Sequence, residues 1–416
     1  ERVYKLLFNR ELYLNAYAKL YPNNGAMTKG VTNETVDGMS IQKIDRMIEI
    51  LREEKYQWKP ARREYIKKKN GKKRPLGIPV WGDKVLQEVM RQILEAYYEP
   101  QFSEHSHGFR PNRGCHTALQ EIQVWKGTRW FIEGDISQYF DTIDHKILLE
   151  ILARNIHDGR FIRLVSNMLE AGYLEEWKFK QTISGVPQGG VISPILANIY
   201  LNEFDNWIEE VLIPKYTKGK RQKSNPEYNK LTAEIQKLRK EGDAKTAHQL
   251  VVERRKIPSV NTQDENYRRL RYVRYADDFV CCFEYKAEAQ EFFVKLQERL
   301  AKFKLEIEVN KSKIIRFGRY AGEGKGTFDF LGFTFISGTD RKGRYRTIKL
   351  TSKKKMSAKM KAANEWIHAN MHMPVNELIK KLNTKLIGHY RYYGITGNYD
   401  KLEMFRWYVI ERLKAW

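Results

Sequence analysis

Two adjacent carboxylates, Asp277 and Asp278, stand between Tyr272-Val273 and the apolar run from Phe279 to Phe283. The pattern reads as a β-hairpin with the acids at its tight turn. No other stretch restricts the fold as much, because two like charges at a strand junction repel and local folding does not need them there. A divalent cation between them removes the repulsion. A lone Asp-Asp pair is more often a solvated turn, since Asp favours turns. The rest of the chain must supply the partners that decide it.

With 416 residues the chain can hold two or three domains and a sizeable core. A hydrophobic fraction of 42% with 12% aromatics belongs to a folded protein rather than a disordered one. Lys and Arg number 75 against 51 Asp and Glu, a net charge of +24 that points to a polyanionic partner, nucleic acid first. A basic membrane-surface protein competes with that reading. No apolar run approaches the ~20 residues of a spanning helix, and no signal peptide is visible, so no membrane role is expected. Three cysteines, two of them adjacent (Cys281 and Cys282), make neither a disulfide framework nor a zinc spacing. The expected location is intracellular and reducing, a bacterial cytoplasm or an organelle. The sequence starts at Glu1 rather than Met, which suggests a native start further upstream.

Residues 1–60 pattern as amphipathic helices, with Tyr4, Leu7, Phe8, Leu12, Leu14 and Tyr17 spaced for one buried face. From Tyr65 to Pro79, apolar strand residues flank Asn70-Gly71, and six cations crowd the tip of the implied hairpin. Asp83 is placed to cap a helix carrying Leu86, Val89, Met90, Ile93, Leu94 and Tyr97. His105 and His107 lack a nearby third ligand, so they read as structural or RNA-facing. Thr128 to Asp135 forms a short strand ending in an acid, with Gly134 allowing another backbone close. Asp144 caps the helix that follows. Gly185-Val-Pro-Gln-Gly-Gly190 exposes backbone N–H groups ahead of a helix begun by Ser193 and Pro194, a general phosphate-binding arrangement but not a P-loop. Lys215 to Arg274 holds 17 Lys/Arg and 7 Asp/Glu, and contains two helices, Pro226–Lys240 and Ala244–Lys256, broken at Gly242-Asp243. Ala287–Phe303 is a helix, Leu305–Val309 an alternating strand, and Phe328–Phe335 a strand pair. Arg341 to Lys361 carries ten cations and no acid. Three helices close the chain, about 352–371, 374–393 and 399–416, with aromatics among cations that suit a groove tracking a nucleic-acid backbone.

Taken in order, Arg74-Pro-Leu-Gly-Ile-Pro79, His107-Gly-Phe-Arg-Pro111, Asp135-Ile-Ser-Gln-Tyr-Phe-Asp141, Gly185–Gly190 with Ser193-Pro194, Tyr275-Ala-Asp-Asp278, Asn310-Lys-Ser-Lys313 and Phe330-Leu-Gly-Phe333 resemble the reverse transcriptases, and within them the group II intron-encoded reverse transcriptase/maturases. Each match alone is modest; the ordered set is specific and covers nearly the whole chain. The resemblance implies an α+β right-hand polymerase, fingers and palm with an antiparallel palm sheet, followed by an α-helical thumb. It divides the chain into an N-terminal helical extension (1–60), a fingers and palm domain (61–340, with a basic helical insertion about 215–270) and a thumb or maturase domain (341–416).

The resemblance also implies the chemistry: a primer 3′-hydroxyl attacks the α-phosphate of a deoxynucleoside triphosphate with two Mg²⁺ ions, Mn²⁺ being a substitute. Asp135, Asp277 and Asp278 are the implied catalytic acids and metal ligands, joined by the Ile136 carbonyl. Lys68, Arg74, Phe140, Gln188 and Lys313 match nucleotide-binding positions, with Phe140 under the sugar and Lys313 near the leaving pyrophosphate. Arg110, Gly189 and Tyr275 fall where primer and template run. The implied partners are group II intron RNA, an RNA template with a DNA or RNA primer, deoxynucleoside triphosphates and target DNA. A retron, diversity-generating or CRISPR-associated reverse transcriptase, or a splicing-only maturase, is the alternative. Many group II proteins continue into DNA-binding and endonuclease domains, and no Cys/His cluster suited to such a nuclease occurs before Trp416.

Overall fold

The computed structural model describes residues 2–67, 73–125, 129–175, 178–180, 185, 189–262, 264–319, 326–340, 343 and 345–415. Among them run the strands β1 (Ala61–Lys67), β2 (Lys73–Ile78), β3 (Trp130–Asp135), β4 (Tyr173–Glu175), β5 (Lys178–Lys180), β6 (Arg271–Tyr275), β7 (Asp278–Phe283), β8 (Lys313–Arg316), β9 (Phe328–Phe330), β10 (Phe333–Thr339) and β11 (Tyr345–Thr351). They form three sheets, ordered β2-β1-β4-β5, β6-β7-β3-β8 and β11-β10-β9.

The antiparallel sheet β6-β7-β3-β8 organises the molecule. Its inner strand β7 reads as an unbroken apolar run because both of its faces are covered. Phe279, Cys281 and Phe283 enter one core, together with residues of the helices Trp81–Tyr98, Ser193–Trp207 and Lys286–Lys302. Val280 and Cys282 enter a second core, against the helix Cys115–Gln123 and the phenylalanines of β9 and β10. A period-two strand between two cores leaves no polar face to reveal its alternation.

The N-terminal helices do not form a separate body. Tyr4, Tyr13, Ala16, Ile44, Ile48 and Leu51 share the core of Trp81–Tyr98. Helix Arg10–Leu20 begins where Asn9 accepts the Glu11 N–H at 3.0 Å, and helix Ile41–Arg52 where Ser40 accepts the Lys43 N–H at 3.3 Å. Asp83 is not a cap, contrary to expectation. Val80 holds that position, and the buried Asp83 carboxylate accepts the Tyr56 hydroxyl at 2.7 Å and the Lys59 N–H at 3.0 Å.

Residues 305–309 are not a regular strand, contrary to the alternation. Leu305 and Ile307 are buried as the pattern demands. Pairing stops at one bridge, Ile136 to Ile307, because the Glu308 carbonyl turns the chain by accepting the Lys311 and Ser312 N–H groups at 3.0 Å each. The ladder resumes at β8.

The two helices expected in the basic stretch, Pro226–Lys240 and Ala244–Arg254, are present, separated at Gly242 (φ +84°) and capped by Asn225 and Asp243. The division expected at 340 falls within a hairpin: β10 and β11 pair from Phe333↔Thr351 to Thr339↔Tyr345. The helical section begins at Lys353, with Ser352 as its cap, and its helices Lys353–Asn370, Val375–Tyr393 and Tyr399–Ala415 carry a small core of Met356, Ile367, Leu382, Phe405 and Val409. Asn398, fully buried, accepts the Thr351 N–H at 2.8 Å and donates to the Thr351 hydroxyl at 2.8 Å and the Tyr393 carbonyl at 2.9 Å. No described helix is long and apolar enough to cross a membrane.

Candidate active site

The acids meet at one end of the central sheet. Asp135 closes β3 and is the cross-strand partner of Asp278, the first residue of β7. Tyr275 pairs with Asp278 across β6 and β7, leaving Ala276-Asp277 as a two-residue turn. The Ile136 N–H donates to the Asp277 carbonyl at 3.3 Å, so the chain leaving β3 is tied to that turn. Gly134 proves necessary for a ring rather than a backbone: a Cβ there would stand 2.1 Å from Cζ of Phe279.

The turn is held from beneath by a buried polar network. Ala276 adopts φ +54°. Its carbonyl accepts Arg274 Nη1 at 2.9 Å. The Arg274 side chain is fully buried and bonds Asp205 through Nε at 2.8 Å and Nη2 at 2.5 Å, and the Ser106 hydroxyl through Nη2 at 2.8 Å. Burial alone would lower the Arg274 pKa, but the Asp205 carboxylate outweighs it and holds the guanidinium charged. The Tyr272 hydroxyl donates to Asp205 at 2.6 Å. Sequence patterning did not single out Asp205 or Asn198, both on the helix Ser193–Trp207, of which only the start was marked by a motif.

The carboxylates repel, as the sequence implied. Burial pushes the Asp278 carboxyl up to about 7, and the charges of Asp277 and Asp135 push in the same direction. Lys311 meets the Asp135 carboxylate, and that contact raises the Lys311 pKa. A cation is thus already resident on one acid. Among the described residues no three His, Cys, Asp or Glu side chains stand as a preassembled metal-ligand group. The donor chemistry still fits a hard divalent ion, with oxygens converging from two strand ends where a positive charge is drawn.

A cleft of about 1800 Å³ opens over these acids. Asp135, Ile136, Phe140, Tyr275, Asp277 and Asp278 all line it. Phe140 sits on a four-residue helix, Tyr139–Thr142. Tyr275 is half-buried, and burial with Cys115 beside it pushes its hydroxyl up to about 12. Arg63 and Lys73, from β1 and β2, also line it, as do Lys354, Lys355, Lys359 and Lys385 from the closing helices, with Trp366 and Tyr392.

Other expected site residues lie elsewhere. Arg110 does not line the cleft. Its guanidinium is buried, pairs with Glu99 at 2.9 Å, and donates to the Ser103 carbonyl and to the Ser106 carbonyl at 2.8 Å. Lys313 pairs with Glu133 at 3.6 Å, two residues before Asp135 on β3, and it is Lys311 of the same motif that reaches the acids. The signal for that choice is register: Glu133 opposes Lys313, so Lys311 falls beyond the end of β8, level with the strand end of β3. Gly189 has φ +104°, and a Cβ on it would stand 2.6 Å from Leu76 Cδ1, so it packs against β2. Lys68, Gln188 and the Arg74 side chain lie outside the described residues. His105 and His107 are structural: both bond Glu121, His107 at 2.7 Å, and His107 also bonds Thr117 at 2.8 Å.

A family model for reverse transcriptase (RNA-dependent DNA polymerase) matches residues 66–335. The chain is 37% identical over 446 aligned residues to group II intron-encoded protein LtrA of Lactococcus lactis subsp. cremoris, covering 99% of this chain and 73% of that protein. It is 41% identical to an uncharacterized 91 kDa protein in the cob intron of Schizosaccharomyces pombe, over 74% of this chain and 38% of that one. It is 40% identical to the putative COX1/OXI3 intron 1 protein of Saccharomyces cerevisiae, over 66% of this chain and 33% of that one.

Proposed function

The chain belongs to the group II intron-encoded reverse transcriptases, and on that premise we propose that its cleft extends a DNA or RNA primer on an RNA template by nucleotidyl transfer. The observation that carries this reading is the cross-strand pair Asp135–Asp278 with Asp277 in the adjoining turn. The family works with divalent metal ions. Two Mg²⁺ ions on the three carboxylates and the Ile136 carbonyl would lower the pKa of the primer hydroxyl and neutralise charge on the attacking and leaving oxygens.

The chain's own groups do the rest. The primer 3′-oxygen forms a bond to the α-phosphorus as the bond to pyrophosphate breaks, and the hydroxyl proton leaves to solvent. Lys311 brings a compact positive charge to the acids, suited to the leaving pyrophosphate, the role expected of Lys313. Arg63 and Lys73, with Arg74 and Lys68 by resemblance, suit the triphosphate. The Phe140 ring suits the floor beneath the sugar, where a ribose 2′-hydroxyl would clash. Tyr275 suits the primer end. The basic helices at 226–254 and after 353 suit binding of the intron RNA itself, the maturase role that assists splicing and retrohoming into target DNA.

The test is the double variant Asp277→Ala/Asp278→Ala. Primer extension in Mg²⁺ or Mn²⁺ should fall to background while intron RNA is still retained on filters. Residual extension in Mg²⁺ sinks the assignment of the acids.

A further inference from the structure

In the stretch His107-Gly-Phe-Arg-Pro111, His107 and Arg110 serve the scaffold, and Phe109 is left without a role. Its backbone is at φ +59°, a left-handed conformation that bulky L side chains avoid. The residue is 50% exposed and lines the cleft. Neither burial nor backbone preference accounts for a phenylalanine there, and strain of this kind gathers at functional sites.

The conformation is imposed by neighbours. The His107 N–H donates to the Arg274 carbonyl at 2.9 Å and the Arg274 N–H to the His105 carbonyl at 2.8 Å. Asn198 Nδ2 donates to the Gly108 carbonyl at 2.8 Å. A Cβ on Gly108 would stand 2.4 Å from the Ala276 nitrogen. The Gly108-Phe109 bend is therefore clamped against the Tyr275-Ala276 turn. The clamp delivers a ring: Phe109 meets Phe140 edge to face, with centroids 6.3 Å apart and planes at 77°, and lies 6.4 Å from Tyr275. Phe140 rides on a four-residue helix entered through Gln138 at φ +44°, a support too short to be stable through its own backbone bonds.

We propose that Phe109 is a positioning residue for sugar selection, holding the Phe140 ring in the attitude that excludes ribonucleoside triphosphates. The inference rests on the reading of Phe140 given above. Single-nucleotide incorporation with matched deoxy- and ribonucleoside triphosphates tests it in Phe109→Ala, Phe109→Gly, Phe109→Tyr, Phe140→Ala and the double Ala variant. Phe109→Ala should lower the deoxy-to-ribo ratio of kcat/KM by about two- to tenfold, the scale of one aromatic pair. The change should sit in the KM for the ribonucleotide. Phe109→Gly removes the ring and relieves the backbone, so it should fold as stably as the parent yet discriminate like Phe109→Ala. Phe109→Tyr should discriminate like the parent, and the double variant no worse than Phe140→Ala. A parental ratio in Phe109→Ala, or additive losses in the double variant, overturns the inference. If Phe140→Ala loses discrimination and Phe109→Ala does not, only this inference falls. If Phe140→Ala keeps the parental ratio, the reading of Phe140 falls and the inference with it.

Discussion

Replacing Asp205 by Asn is a direct test of how the turn carrying Asp277 is held. Asp205 and Arg274 are both fully buried, with Nη2 to Oδ2 at 2.5 Å. The carboxylate also takes Arg274 Nε at 2.8 Å and the Tyr272 hydroxyl at 2.6 Å. Asn keeps the volume, removes the counter-charge and turns a donor toward Nη2. Removing one partner of a buried pair leaves an uncompensated charge and costs about 3–5 kcal/mol. Asp205→Asn should therefore unfold in urea with a loss of that size. Arg274→Met combined with Asp205→Leu removes both charges, and apolar replacement of a buried pair is often neutral, so most of the stability should return. Activity should not. The Ala276 carbonyl and the Ser106 hydroxyl lose their donors at 2.9 and 2.8 Å, and the turn carrying Asp277 is no longer fixed. Urea denaturation followed by tryptophan fluorescence gives the first quantity, and single-turnover primer extension gives the second. An Asn variant within about 1 kcal/mol of the parent, below the range for a broken buried pair, refutes the stability argument. A double variant with parental turnover refutes the positioning argument.

Two further outcomes follow from the geometry. Gly108→Ala drives a Cβ to 2.4 Å from the Ala276 nitrogen, and backbone cannot yield as a side chain can; a shift of about 1 Å at the acids corresponds to roughly a hundredfold loss of kcat, so parental kcat would remove the clamp from the account. Burial raises Asp83 from 3.8 to about 6 despite the bonds from Tyr56 and Lys59. The folded state then holds more protons than the unfolded one between these values, so stability falls as pH rises through that window and is level above it. Relative to the parent, Asp83→Asn should gain up to about 3 kcal/mol across the window, and parallel stability curves for the two proteins would contradict this.

The sequence was most legible where one property dominates. The helices at 226–254 were set by local chemistry: Asn225 and Asp243 cap them, and Gly242 separates them. The hairpin acids became readable only with Asp135 and the ordered motifs around them, since an Asp-Asp turn alone is more often solvated. What escaped notice depends on register and on long-range partners. Lys311 and Lys313 are equivalent in a spacing argument, and only the pairing of Glu133 with Lys313 tells them apart. Arg110 stands in a recognisable motif, yet its partner Glu99 is on a preceding turn that no pattern connects to it. The alternation at 305–309 reports burial correctly and pairing incorrectly, because burial needs only a core while a ladder needs a neighbour along its whole length.

Asn398 has a mechanical consequence. Its three bonds join the start of the last helix, the end of Val375–Tyr393 and the final residue of β11 at a single fully buried point. The Ser352 N–H is in turn bonded to the Gly332 carbonyl at 3.0 Å, and Leu331 and Gly332 line the cleft. A load applied along the exposed last helix is therefore not dissipated in a loose joint. It is passed to the hairpin at the cleft's edge through this amide together with the Tyr392 hydroxyl, bonded to the Leu331 carbonyl at 2.8 Å, and the packing of Tyr393 on Phe333, so the set of the closing helices and the position of that edge are coupled at one buried cluster.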